Sequence, residues 1–351
     1  MHWYSPFLYP FSMLYEGVTA SRNWMFDKGF KRQSVFSVPT VVVGNLNIGG
    51  SGKTPMVEYL INLFQDKYHL ATLSRGYGRK SRGFFLANEQ LGPKEIGDEP
   101  YQIYSKFGDK VAVSVGEDRV MAIPEIMALK PETELILLDD AFQHRYVKGD
   151  LNILLTTFQK PFFKDQVLPL GTLRENKHGA KRADLVVITK TPQEIDQRMR
   201  EEYILSIQKF THAKICFASL RYGDPYPLNL NFSEERRKIV LVSGIANDAL
   251  LFEEASKRFE VTARLNYGDH HHYSKRDAEK IRFSLGEAGD AMVLTTEKDA
   301  VKLKNSAFHE YLSEIPIFVL PIQVKLDMEC QLWLKRKVES IVAEKSRISE
   351  S

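Results

Sequence analysis

Residues 41–55 read VVVGNLNIGGSGKTP, and no other stretch constrains the fold of this chain as tightly. Three valines form a short buried strand, the glycines let the backbone curl, and KTP opens a helix. A strand that runs into such a curl and leaves on a helix aims the N–H groups of the turn at one point. That point lies at the positive end of the helix, where a phosphate can be held. Asn47, Gly49, Gly50, Ser51, Gly52, Lys53 and Thr54 are therefore the candidate nucleotide-binding residues. Lys53 is suited to neutralise the β- and γ-phosphates, and the Thr54 hydroxyl to ligate Mg²⁺. The strict pattern has glycine where this chain has Asn47, and asparagine is the next most tolerant residue of left-handed backbone.

From residue 39 onward short β-branched runs alternate with longer amphipathic stretches, the signature of a parallel sheet covered by helices. Strands are predicted at 39–44, 69–73, 111–115, 135–139, 151–156 and 185–189, with helices at 54–64, 119–129 and 192–210. A polar stretch with prolines, 221–237, precedes a second alternation: strands at 238–243, 261–265, 291–295 and 317–320, helices at 246–258 and 275–288. The expected fold is α/β, with a P-loop NTPase-type parallel-sheet domain, a second and smaller α/β domain, and an N-terminal helical segment. The division is 1–36, 37–220 and 221–345, and residues 344–351 form a polar tail expected to fray.

The chain has 351 residues, 43% of them hydrophobic and 26% charged, enough for two cores and unlike a disordered or fibrous chain. Its 48 basic and 45 acidic residues leave a net charge of +3, so any phosphate recognition must be local and nucleic acid is not an expected partner. Cys216 and Cys330 lie far apart, in no metal-ligand spacing and too few for a disulfide framework, and are read as two reduced, buried thiols. No apolar run reaches the roughly 18 residues that span a bilayer, and the start of the chain lacks the pattern of a secretory signal. The first forty residues are nonetheless crowded with aromatics, followed by Arg22, Lys28, Lys31 and Arg32. Phe7, Phe11, Leu14, Val18 and Met25 share a helical stripe, as in a helix lying in a membrane interface and equally in one packed on a core. Pro6 and Pro10 restrict such a helix to begin near residue 10.

Further along, LILLDDAFQ (135–143) ends an apolar strand in two acids, the layout of a Walker B segment. Asp139 or Asp140 is the metal-side acid, and the other caps the next turn. Glu175, beside Arg174 in LPLGTLRE (168–175), offers another carboxylate. In IGDEP (96–100), spacing alone makes Asp98 a helix cap. YGDHHHY (267–273) sets three consecutive histidines after an acid. Neighbouring residues converge poorly on one tetrahedral ion, so a proton-handling role suits them better, with an acid from the other domain as partner. Arg75, Arg79, Arg119 and Arg174 lie near predicted strand ends, where arginine clamps phosphate.

Taken together, GNLNIGGSGKTP, LSRGYGR, GDEP, VGEDR, LDDAFQH, LPLGTLRE, SGIAN, DHHHY and TTEKDAVK closely resemble the tetraacyldisaccharide 4′-kinase family in order and spacing, across residues 39–302. The resemblance implies an enzyme that transfers the γ-phosphate of ATP, with Mg²⁺, to the 4′-hydroxyl of a tetraacyldisaccharide 1-phosphate in lipid A biosynthesis. It implies peripheral attachment at the cytoplasmic face of the inner membrane, and turns the reading of the N-terminal segment from core helix to membrane-interface helix. Lys53 and Thr54 then serve the nucleotide and Mg²⁺, Asp139 with Glu175 and the nearby Asp140 form the metal side, and Arg119 and Arg174 meet phosphate charge. Asp98 becomes the base or base partner, working with His270 in preference to His271; His272 is incidental. Ala141 stands where the family pattern has glycine. ATP rather than GTP comes from the resemblance alone, and oligomeric state is left open. Two rivals stand beside it: another P-loop NTPase such as a metal-delivering GTPase, which would want Cys or His pairs beside the loop, and a nucleotide-regulated membrane-binding module, which would need neither Asp98 nor the histidines.

Overall fold

The computed structural model describes residues 5–229, 232, 234–245, 247–268, 271–304 and 309–350. Helix α1 (Ser5–Asp27) opens the chain. There follow β1 (Thr40–Asn45), α2 (Lys53–Phe64), β2 (Leu70–Ser74), β3 (Phe85–Leu86), the single turn α3 (Pro93–Ile96), α4 (Asp98–Phe107) and β4 (Val111–Val115). Next come α5 (Arg119–Leu129), β5 (Leu135–Asp139), β6 (Leu151–Thr157), β7 (Leu185–Thr189), α6 (Gln197–Gln208) and β8 (Lys214–Tyr222). The second unit runs through β9 (Tyr226–Pro227), β10 (Lys238–Ser243), α7 (Ala249–Arg258), β11 (Glu260–Asn266), α8 (Lys275–Ala288), β12 (Ala291–Thr296), α9 (Glu297–Lys304), α10 (His309–Ser313) and β13 (Ile317–Leu320). Last are β14 (Ile322–Leu326) and α11 (Met328–Glu350).

Among the described residues the strands make a nine-stranded sheet, β14-β8-β7-β6-β1-β5-β2-β4-β3, and a five-stranded one, β11-β10-β12-β13-β9. The inner strands of both are parallel, and only β3, β14 and β9 pair antiparallel, at the edges. Strands buried on both faces need apolar side chains at every position, and period two decides which helix each one meets. Val41 and Val43 of β1 point to α2, α4 and α11, packing with Met56, Leu60, Ile103 and Leu334. Val42, between them, points the other way, to Ala122, Ile123 and Ile126 of α5 and Ile207 of α6. Each such side chain contributes roughly 1.5–3 kcal/mol through its removal from water.

Three features depart from the sequence reading. First, α1 begins at Ser5 and carries Pro10 within it. Pro6 sits in the first turn, where no N–H is needed, so the two prolines forgo only the bond from position 10 to the Pro6 carbonyl. Second, the chain returns to the first sheet at its end: β14 pairs with β8, and α11 lays Leu334, Val338 and Ile341 on the first core, in a region the sequence assigned to the second unit. The segment expected to fray is helical as far as Glu350. Third, Cys216 on β8 and Cys330 on α11 form a disulfide across 114 residues, in place of two free thiols. That return of the chain is what brings the two together.

The chain crosses between the sheets just after β8 and back just before β14, and the crossings touch. The Gly223 N–H donates to the Pro321 carbonyl at 3.0 Å.

Candidate active site

β1 delivers the glycine-rich loop at the carboxyl edge of the large sheet. Gly49 and Gly52 take φ of 116° and 83°, which the curl requires of glycine. Gly52 precedes α2 without a side-chain cap, so the first N–H groups of that helix stay available to an anion. Thr189 at the end of β7 holds the loop from beneath, its hydroxyl donating to the Ser51 carbonyl at 2.8 Å. Asn47 is absent from the positive-φ residues, so its tolerance of left-handed backbone is not used. Its amide instead donates to Asp165 Oδ2 at 2.7 Å, pinning the loop to the 165–173 segment.

Lys53 lies within 3.4 Å of Asn45 Oδ1 and 3.7 Å of Asp140 Oδ1. The two acids after β5 part company. Asp139 is buried, and its Oδ1 has no hydrogen-bond partner. Burial first, then the negative charges of Glu99 and Asp140, push its carboxyl up to about 7, against the pull of Lys53. Asp140 adopts φ of 47°, a strained left-handed conformation for a non-glycine residue, and reaches Arg174 at 2.9 Å. Asp139 Oδ1 is thus an orphaned acceptor within reach of the Lys53 charge, and an unpartnered carboxylate oxygen suits a hard cation. Among the described residues no group of three His, Cys, Asp or Glu forms a metal cage. A Mg²⁺ carried by phosphates needs only a hydroxyl, one or two carboxylates and water. Glu175 is committed elsewhere: its two oxygens accept from Asn23 at 2.6 Å, Gln143 at 3.0 Å and Arg182 at 2.7 and 3.0 Å.

Asp98 is the first residue of α4, and the cap position before it is held by Gly97, with φ of 93°. The turn is packed against the LSRGYGR loop, since a Cβ on Gly97 would stand 3.0 Å from the Tyr77 carbonyl. Asp98, Gln102 and Lys106 share one face of α4 at intervals of four, and α9 of the second unit lies along that face. Lys302 reaches Asp98 at 3.7 Å, Lys298 reaches Glu99 at 3.6 Å, and Lys106 bridges Glu297 at 2.6 Å to Glu58.

His270 lies outside the described residues. His271 turns to its own unit: Nε2 is 3.0 Å from Asp277 Oδ2, and the ring stacks on Tyr267 at 4.5 Å. Gly244 of SGIAN packs tightly here, since a Cβ on it would stand 2.7 Å from Asp299 Oδ1 and 3.5 Å from the His271 Cβ.

The arginines divide by partner. Arg79 pairs with Glu117 at 2.6 Å and donates to the Gly83 carbonyl, bracing its own loop. Arg119 is buried with its Nε unpartnered, Arg174 holds Asp140, and Arg75 stands exposed after β2. Next to them His144 is half-buried. Burial, then Arg119, Arg22 and Arg75, hold its imidazole down at about 4, so it is neutral near pH 7.

The N-terminal helix docks beside this cluster. Arg22 donates to the Gln143 carbonyl at 2.9 Å, Tyr15 to the Arg174 carbonyl at 3.1 Å, and Asp27 pairs with Arg145 at 2.7 Å. Its far face carries exposed Phe7, Phe11, Leu14 and Val18, each more than 60% accessible, with Met13 and Trp24 over half exposed. No described helix is long and apolar enough to cross a membrane.

Residues 4–339 match the profile of a family described as tetraacyldisaccharide-1-P 4′-kinase (LpxK). The chain belongs to that family. A tetraacyldisaccharide 4′-kinase of Bacteroides thetaiotaomicron is 40% identical, over 97% of this chain and 94% of that one. One from Flavobacterium johnsoniae is 39% identical, over 95% and 98%. A crystal structure of LpxK from Aquifex aeolicus in complex with ATP superposes with a TM-score of 0.76 at 32% identity, covering 96% of this chain and 99% of that one.

The family's P-loop kinase architecture is the one expected from the sequence, and the loop, the acid pair and GDEP meet at one sheet edge. The sequence reading gave no role to Lys302, Lys298, Lys106 or Glu297. The signal was there: Lys298 and Lys302 in TTEKDAVK stand four apart, one turn of helix, and so share a face.

Proposed function

We propose that this chain transfers the γ-phosphate of ATP to the 4′-hydroxyl of a tetraacyldisaccharide 1-phosphate, working as a peripheral enzyme on the membrane face that holds this lipid, the cytoplasmic face of the inner membrane. The observation that carries the reading is that Lys53 of the glycine-rich loop stands 3.7 Å from Asp140, that Glu99 of GDEP is close enough to raise the neighbouring Asp139, and that the helix with the exposed apolar face docks on the segment just after this acid pair. Phosphoryl transfer asks little covalent chemistry of a protein and much positioning and charge neutralisation. In this account the loop amides and Lys53 hold the phosphates, Thr54 and Asp139 hold Mg²⁺, and Arg119 and Arg174 face the charge of the phosphoryl group. Mg²⁺ bound there supplies the positive charge that offsets the phosphate oxygens. Asp140 keeps Arg174 and Lys53 in register, and Glu175, with its hydrogen bonds to Asn23 and Arg182, ties α1 to the catalytic loops. Asp98 accepts the proton of the 4′-hydroxyl. A histidine from the second unit as its partner is retained for His270; the contact of His271 with Asp277 favours a role within its own unit for that residue.

The apolar face of α1 supports the membrane part of the reading. Phe7, Phe11, Leu14 and Val18 enter the interface, while Lys28, Lys31 and Arg32 follow at the level of anionic head groups, Arg22 being turned to the Gln143 carbonyl. A substrate that keeps its acyl chains in the bilayer can then present only its sugar to the cleft. The test compares turnover on the tetraacylated disaccharide 1-phosphate in mixed micelles with turnover on the deacylated sugar. The reading expects at least a tenfold loss without the chains; equal turnover on both would remove the lipid interface from the account.

A further inference from the structure

Lys302 is a buried ammonium without a hydrogen-bond partner among the described residues: its side chain is 5% exposed, and it pairs with Asp98 Oδ2 at 3.7 Å. A cation is taken out of water at a cost, and folds keep such a group where its charge is used. The second unit fixes it there. The Thr296 hydroxyl donates to Asp299 Oδ2 at 2.7 Å and accepts from the Asp299 N–H at 3.1 Å, and the Gly244 N–H donates to the same carboxylate oxygen at 2.9 Å. These bonds set the start of α9 against SGIAN, and Lys302 follows one turn further along. Parallel to it, Lys298 to Glu99 and Lys106 to Glu297 close the α4–α9 seam on either side.

We infer that Lys302 is a positioning residue for the phosphoryl transfer, reaching across from the second unit to orient the Asp98 carboxylate and hold one of its oxygens, so that the other faces the acceptor hydroxyl. This deepens the proposed function and rests on the role given there to Asp98. It makes the second unit contribute to the chemistry through α9 as well as through the histidine loop. The seam formed by the other ion pairs sets the depth to which Lys302 reaches.

The test is a double-mutant cycle on purified full-length protein, with turnover, both KM values and ATP affinity measured for Lys302→Met, Lys302→Arg, Asp98→Asn and Asp98→Asn/Lys302→Met. A positioning role predicts that Lys302→Met lowers kcat by 30-fold or more, with KM values and ATP affinity within twofold of wild type. It predicts partial recovery in Lys302→Arg, and no further loss when Lys302→Met is added to Asp98→Asn. The inference is overturned if Lys302→Met turns over normally, or if its loss is the same in the Asp98→Asn background. It is equally overturned if melting temperature and ATP affinity fall together with kcat and arginine restores nothing, the pattern of a residue that only holds the fold. Wild-type turnover in Asp98→Asn would instead remove the reading of Asp98 on which the inference stands.

Discussion

Asp139, proposed above as the metal-side acid, shows how a single residue can tie stability to pH. Burial first, then the charges of Glu99 and Asp140, hold its carboxyl up at about 7, well above an ordinary aspartate. An acid whose folded value exceeds its unfolded value binds its proton more tightly in the fold, so without metal the protein loses stability as pH rises from about 4 to about 7. Asp139→Asn removes that charge. The variant is expected to be more stable than wild type by about 1–3 kcal/mol at pH 8 in the absence of nucleotide and Mg²⁺, to match it at pH 4, and to lose at least about 100-fold in turnover. Denaturant midpoints across pH check this. His144 titrates with the opposite slope in both proteins and drops out of the difference. A variant with the same pH slope as wild type would show that Asp139 is ionised at no cost. At this scale the sequence was readable where chemistry is local: the residues of the loop and the acid pair announce themselves by type and order. It was unreadable where a side chain's partner lies far along the chain. Asn47 suggested backbone tolerance, and its use is a hydrogen bond to Asp165, 118 residues away; Asp98 suggested a cap, and it faces Lys302.

Among the elements, α1 and α11 make the contrast. Periodicity exposed the apolar stripe of α1, but a stripe cannot say what covers it. The structure docks the polar side of α1 on the loop that carries Gln143 and Arg145 and leaves Phe7, Phe11, Leu14 and Val18 bare. Phe11→Glu/Leu14→Glu is therefore expected to reduce co-sedimentation with anionic phospholipid vesicles by tenfold or more while moving the melting temperature by less than 2 °C. A large fall in melting temperature would mean that the stripe serves the fold. β8, β14 and α11 escaped sequence reading for another reason. They complete the first sheet from beyond the second unit, and no local pattern reports a return across about a hundred residues. The Cys216–Cys330 bond links two of these elements in the first core. Closing a loop of 114 residues restricts the unfolded chain strongly, so reduction, or Cys216→Ser, is expected to cost about 2–4 kcal/mol in denaturant unfolding. An unchanged midpoint under reducing conditions would show that packing of α11 alone holds the helix.

The molecule as a whole is two parallel sheets joined by two adjacent strand crossings, with α4 of one facing α9 of the other. The order of strands and helices in both sheets was legible because buried parallel strands spell themselves out as β-branched runs. The seam between the sheets was not, because Lys106, Glu58 and Glu297 are unremarkable charges until the two units meet. That seam sets Asp98, on the unit that carries the glycine-rich loop, against Lys302 of the other unit. The most direct test is transfer of ³²P from γ-labelled ATP to tetraacyldisaccharide 1-phosphate in detergent micelles, by native protein and by Lys53→Ala. The account predicts labelled lipid carrying two phosphates from the native chain and a loss of about 100-fold or more in the variant. Label released only as inorganic phosphate, or equal labelling by both proteins, would contradict it.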